Sequence, residues 1–216
     1  MIGRPRVHHR VADSTNERAR ELASAGAPNG TLVTADEQTA GRGRQGREWV
    51  ARPGAALLMS LVLRSPTDAL PLAAAVAVCE ALPVEATIKW PNDIWVDRRK
   101  VAGILVEARP QAGWAVLGIG VNVREAPPVE HSTSLGGAIS VEDLLSRVLV
   151  ALDRWLREPL PAVLAAWRSR DALLDQPVRW QNGRGRGVGI DEAGALLVET
   201  GSGVVALDAG EVHLLR

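Results

Sequence analysis

Residues 41–47 read "GRGRQGR": three glycines, three arginines and no apolar side chain among the seven. Such a segment cannot bury itself. Guanidinium forks match phosphate oxygens bidentately and glycine lets the backbone approach a ligand closely, so the composition fits a phosphate-holding loop as well as a solvated one. A second stretch, "IKWPNDIWVDRRKVAGILVEA" at 88–108, brings an amide, a carboxylate and a lysine together. Pro91 keeps Trp90 out of helix and removes one ladder donor, which leaves Asn92 and Asp93 presented where a sheet is interrupted. Lys100 follows the tight "VDRR" hairpin, and Gly103 comes shortly after it. Singly, each of these residue types is commoner as a turn former or a solvated charge. Gathered on one hairpin they form a candidate site.

The elements that must position these residues are marked by caps and periodicity. In "DSTNERARELASAG", Ser14 and Glu17 make the spacing of a capping box that opens a helix, and Gly26 stops it. "TLVTADEQ" is a strand running into the arginine loop, and "AALLMSLVLR" is a second, buried strand after the turn "RPGA". A buried helix spans 68–82. Four strands follow, "ATIKW", "IWV", "VAGILVEA" and "WAVLGIGVN", and their short polar connections make hairpins, hence a mainly antiparallel sheet. Two helices cover 141–157 and 160–172. After Pro177 short apolar runs are broken by "NG", "EAG", "GSG" and "DAG", the texture of a small barrel of about five strands. Its own run "GRGRG" at 183–187 follows the turn signal Asn182-Gly183 and alternates along a strand, so there the same composition is structural. The expected fold is α+β: a mixed, mainly antiparallel sheet with helices over residues 1–175, and a small β-barrel over 176–216.

Composition narrows the function. Lys plus Arg and Asp plus Glu balance at 25 each in 216 residues, so no global positive field holds a polyanion. With no Phe or Tyr to stack bases, a non-catalytic RNA-binding module built on the two glycine–arginine runs fails. The N-terminus has no apolar run of signal-peptide length, and the longest apolar windows are too short or interrupted to span a bilayer. The one cysteine, Cys79, lies in an Ala/Val/Leu-rich segment and reads as a small buried hydrophobe in a cytoplasmic protein. All seven aromatic residues are Trp, a bias for which the sequence offers no physical reason.

The pair "QTAGRGRQGREW" and "KWPND…RRKVAGILVE" closely resembles bacterial biotin–protein ligases. "DSTNERA" before it, and "GIGVN", "TSL" and the C-terminal barrel after it, fall in the same order as in that family. The resemblance implies the biotin/lipoate ligase catalytic fold with an SH3-like C-terminal barrel. Only 13 residues precede Ser14, so a monofunctional type without a DNA-binding repressor domain is expected. It implies that ATP and biotin are substrates, that the biotin carboxylate attacks the α-phosphate to give biotinyl-5′-adenylate, and that a lysine of biotin carboxyl carrier protein then takes the biotin. Magnesium is expected with ATP, although no ligand cluster marks a dedicated metal site.

The residue roles that the resemblance implies are these. Lys100 holds the α-phosphate and the reacting carboxylate, Arg44 assists it, and Asp93 receives the acceptor lysine. Ser14, Thr15, Asn16, Gln38, Arg42, Gly43, Arg44, Lys100 and Gly103 form the biotin site. Arg42, Arg44, Arg47, Trp49, Asn92, Lys100 and Asn122 hold ATP and the adenylate, Trp49 supplying a stacking face for adenine. The rival within the enzymes is a lipoate–protein ligase. No DNA or membrane partner is expected, and nothing marks an oligomer interface.

Overall fold

The computed structural model describes residues 2–215; Met1 and Arg216, the outer ends of the two expected domains, lie outside the described residues. Among the described residues, twelve strands form two sheets, flanked by four α-helices. The first sheet runs β1 (Arg6–Ala12), β2 (Leu32–Gln38), β3 (Ala56–Arg64), β7 (Trp114–Asn122), β6 (Arg99–Arg109), β5 (Asp93–Val96) and β4 (Thr87–Lys89) in spatial order. Every neighbouring pair is antiparallel except β1 with β2.

That parallel pair, and β1 itself, were not anticipated. Helix α1 (Thr15–Ser24) connects the two strands, and a strand–helix–strand crossover returns the chain in the same direction. "RVHHRVA" has no apolar face to announce it, because β1 is held at the sheet edge by backbone pairing to β2.

The two faces of this sheet have different fates. Successive strand residues point to opposite sides, so Leu57, Met59, Leu61, Ala115, Leu117, Ile119, Ala102 and Ile104 face one apolar core. Helix α2 (Leu70–Ala81) closes that core and is buried nearly all round, since α3 (Val141–Trp155) and α4 (Leu160–Arg168) pack over it. The helices α2 to α4 fall within the expected spans, α3 and α4 ending a few residues early. On the opposite face α1 lays Ala19 and Ala23 against Val33, Val62, Trp114 and Val116, and the rest of that face is left uncovered. The uncovered part forms the floor of a cavity.

The strands expected after Pro177 form a five-stranded antiparallel sheet in the order β11 (Gly203–Leu207), β10 (Leu196–Thr200), β9 (Gly183–Ile190), β8 (Pro177–Trp180), β12 (His213–Leu214). The β8–β9 turn is Gln181-Asn182, with Gly183 already paired to Trp180, so it lies one residue before the Asn-Gly signal. Arg184 and Arg186 are exposed on β9, and Arg186 pairs with Asp175 and Glu199, a structural role for this second glycine–arginine run. Val178, Ile190, Leu196, Val198 and Val212 join the same apolar core as α2 and α3. Polar ties reinforce the join: Trp90 Nε1 donates to Gly194 O at 3.0 Å, and Arg168 Nη2 donates to Ile190 O at 2.9 Å. No helix among the described residues is long and apolar enough to cross a membrane.

Candidate active site

The cavity on the uncovered sheet face encloses about 1090 Å³. Its floor is made by glycines of β6 and β7. Gly103 and Gly120 are register partners, and a Cβ on Gly120 would lie 2.5 Å from the Trp49 ring. A Cβ on Gly118 would overlap the Asn16 amide oxygen. The strand "GIG" therefore lets an indole and an amide lie directly on the backbone.

One part of the wall is polar and uncharged. Ser14, Thr15 and Asn16, each under 5 % exposed, enter the cavity from the start of α1. Ser14 occupies the N-cap position, but its hydroxyl makes no cap hydrogen bond, and Glu17 pairs with Arg20 and Arg42. The expected capping box does not form. Instead Asp13 Oδ1 accepts from Ser14 N at 2.6 Å, the donor that Glu17 would have served, and Gln38, at the end of β2, takes the next one: its Oε1 accepts from Thr15 N at 2.7 Å and from Thr15 Oγ1 at 3.0 Å. Ser60 Oγ of β3 lies 2.8 Å from Thr15 Oγ1 and 2.6 Å from Asn16 Oδ1. Asn16 Nδ2 donates to Glu107 Oε2 at 2.8 Å.

The other part is cationic. The β5–β6 hairpin turns at Asp97 and Arg98, both with positive φ (49° and 59°), the backbone of a type I′ turn. That turn sets Asp93 opposite Gly103 and places Lys100 Nζ 2.6 Å from Asp93 Oδ1. Residues 41–49 fold back on themselves through Trp49 N to Gly41 O (2.9 Å) and Gly43 N to Arg47 O (2.7 Å). The loop arginines then point to separate anchors. Arg42 pairs with Glu17 of α1 at 2.8 Å, and Arg47 pairs with Glu211, in the connection between β11 and β12, at 2.5 Å. Arg44 has no carboxylate within ion-pair distance among the described residues, and burial together with the Arg47 charge pulls its pKa below the ordinary arginine value. Lys100 Nζ also stands 5.7 Å from the centroid of the Trp49 ring.

Lys89, Arg179 and His213 line the cavity as well and were not anticipated. Burial lowers the Lys89 pKa, partly offset by Asp93 across the β4–β5 ladder. Burial also lowers that of His213, and the charges of Lys89 and Arg179 act in the same direction.

The sequence-predicted residues Ser14, Thr15, Asn16, Gln38, Arg42, Gly43, Arg44, Arg47, Trp49, Asn92, Asp93, Lys100 and Gly103 all line this one cavity. Asn122 does not. It is 1 % exposed at the end of β7, and its Nδ2 donates to Thr133 O at 2.9 Å. Ser60 and Glu211 escaped sequence reasoning because no local spacing ties them to the motifs, and Glu17 and Glu107, though inside motifs, were given no part in the site; the alternate glycines of "GIG" were a usable signal for the floor. Among the described residues no group of three His, Cys, Asp or Glu is placed to hold a metal ion.

Comparison with known proteins identifies the family. The model of the biotin/lipoate A/B protein ligase family matches residues 8–123, and that of the biotin protein ligase C terminal domain matches residues 174–215. The biotin–[acetyl-CoA-carboxylase] ligase of Paracoccus denitrificans is 36 % identical, over 93 % of this chain and 96 % of its own length. The bifunctional ligase/repressor BirA of Bacillus subtilis is 33 % identical over 99 % of this chain and 75 % of its own length. Biotin protein ligase from Aquifex aeolicus, solved in complex with biotin and ATP, superposes with a TM-score of 0.85 at 30 % identity, covering 99 % of both chains. Fold, site and relatives together place the chain: it belongs to the biotin protein ligase family.

Proposed function

We propose that the protein activates biotin with ATP to biotinyl-5′-adenylate and transfers the biotin to a lysine of biotin carboxyl carrier protein. One observation carries this reading: a single cavity in which an amide- and hydroxyl-lined wall meets Lys100 and the loop arginines. In the first step a biotin carboxylate oxygen attacks the α-phosphorus, the bond to the bridging oxygen breaks, and pyrophosphate leaves. Two anions must approach each other, so fixed positive charge in a water-poor site lowers the barrier. Lys100, Arg42, Arg44, Arg47 and Lys89 supply it. Lys100, Arg42 and Arg47 rest on the carboxylates of Asp93, Glu17 and Glu211, and ligand oxygens take over those positions.

In the second step the acceptor amine attacks the anhydride carbonyl, AMP leaves, an amide forms, and the amine's proton goes to a base. Asp93 suits that role once Lys100 turns to the phosphate, since a carboxylate can both orient an ammonium and accept its proton. Trp49 offers a flat face to the adenylate. Asn92 has its Nδ2 engaged by Ile104 O at 2.9 Å, which leaves its oxygen for the ligand. Magnesium arrives with the nucleotide, because Mg²⁺ is usually held by substrate phosphates with one or two carboxylates. Residues 1–175 act as the catalytic unit and 176–216 as a second unit that brings Glu211, Arg179 and His213 to the rim. A reducing cytoplasm suits the single thiol, Cys79, whose pKa burial pushes up to about 12.

The test offers the purified protein labelled biotin and labelled lipoate side by side, with ATP and a carrier domain. Label from biotin alone on the carrier lysine is the expected result. Transfer of lipoate in preference to biotin overturns the assignment.

A further inference from the structure

We infer that Glu107 is a positioning residue for the biotin pocket: its carboxylate decides which end of the Asn16 amide faces the ligand. This rests on the assignment of that pocket to biotin. Glu107 lies on β6, on the same face of the sheet as Gly103 and Leu105 but beyond the cavity wall. Its Oε2 accepts from Asn16 Nδ2 at 2.8 Å, and its Oε1 stands 3.7 Å from Arg20 Nη1.

Donors and acceptors decide the orientation. The oxygen and nitrogen ends of a carboxamide are nearly the same shape, so a buried Asn is oriented only by its partners. Asn16 is 4 % exposed and has two such partners, Ser60 and Glu107. A hydroxyl can donate or accept, so Ser60 satisfies either orientation. An ionised carboxylate only accepts. Glu107 therefore holds the NH₂ end, and with it fixes the amide oxygen over Gly118, where the floor has no Cβ. A pocket prepared in this way presents an acceptor to an N–H of the ligand, which the ureido ring of biotin has, at no cost of turning the amide on binding. Arg20 stands between Glu107 and Glu17, and Glu17 also holds Arg42, so the same chain of charges joins this wall to the arginine loop.

The experiment measures steady-state biotinylation and biotin-dependent pyrophosphate exchange in the full chain carrying Glu107→Ala, Glu107→Leu or Glu107→Gln. Alanine and leucine remove the acceptor, leucine keeping bulk where alanine does not fold. Either should raise the KM for biotin about tenfold or more, the size expected for loss of a hydrogen bond to a charged group, with the KM for ATP and kcat within about twofold. Glutamine restores an acceptor and should recover most of that loss. A general structural role would instead shift both KM values and kcat together and would not be relieved by glutamine. An unchanged biotin KM in the acceptor-free variants, or an equal rise for ATP, overturns the inference. Loss of biotin-dependent exchange in the unsubstituted protein is a different outcome, and it removes the assignment of the pocket itself.

Discussion

Lys100 stands on a polar hairpin, a third exposed, with Asp93 and the Trp49 face as its partners. Removing it should spare the core. Lys100→Ala is expected to keep its melting temperature while kcat falls about 10²–10³, the usual cost of one charge-stabilising donor at the reacting centre; near-normal biotin transfer would contradict the mechanism. Asp93→Asn separates the half-reactions. An amide can still accept a hydrogen bond from Lys100 but is a poor base, so pyrophosphate exchange should fall little while transfer slows by ~10²–10⁴. Equal losses in the two rates would mean that Asp93 serves only to orient Lys100. Lys100, the loop arginines and Asp93 were legible in the sequence because they cluster within two short motifs, whereas Lys89 and Arg179 were not. The pairing of the loop with Glu17 and Glu211 was not legible either, since one lies on α1 and the other just before β12, and only the tertiary fold brings them to the loop. Asn122 continues the strand face of Gly118 and Gly120 but does not line the cavity: its Nδ2 donates to the Thr133 carbonyl, while its Oδ1 is buried without a partner among the described residues.

The arginine loop is the element on which ligand binding should be most visible. Among its three arginines only Arg44 is free of an ion pair within the described residues, and residues 45–48 are exposed. A protease specific for arginine is expected to cut within residues 41–47 of the free protein, and biotin with ATP should protect those bonds. Equal cleavage with and without ligands would identify a solvated connector. Most elements could be read beforehand, because β3 and α2 are long apolar runs and the hairpins carry tight turn signals. The edge strand β1 carries no such pattern. The start of α1 stands where the capping-box spacing puts it, but other side chains hold its first donors: Asp13 Oδ1 accepts from Ser14 N and Gln38 Oε1 accepts from Thr15 N.

Both sheets share one apolar core, so the whole molecule should unfold as a unit, and a fault at their junction should register in global stability. Asp171 is such a fault: in the segment between α4 and β8, it forms a parallel bridge with Ile88 of β4. Its Oδ1 accepts from Leu173 N at 2.8 Å, but Oδ2 is buried without a partner among the described residues, and burial raises its pKa. A carboxyl whose folded pKa lies above the unfolded one favours the fold below the unfolded pKa and loses that contribution as pH rises through the folded pKa. Asp171→Asn keeps the Leu173 acceptor and removes the charge. It should melt higher at pH 7, by about 2–4 °C for each kcal/mol recovered, with the gain vanishing in acid. A lower melting temperature at neutral pH would show that the carboxylate is satisfied after all.

Trp49 on its glycine floor has a further consequence. Because the chain contains no tyrosine or phenylalanine, its near-ultraviolet emission comes from indoles alone. One of those indoles forms a wall of the reaction cavity with a lysine cation 5.7 Å from its centroid. Drawing that cation onto a phosphate changes the electric field across the ring. Binding of biotin and ATP is therefore expected to shift the protein's own tryptophan emission, a readout that needs no label, and an emission spectrum unmoved by both ligands would show that Lys100 keeps its place beside the ring.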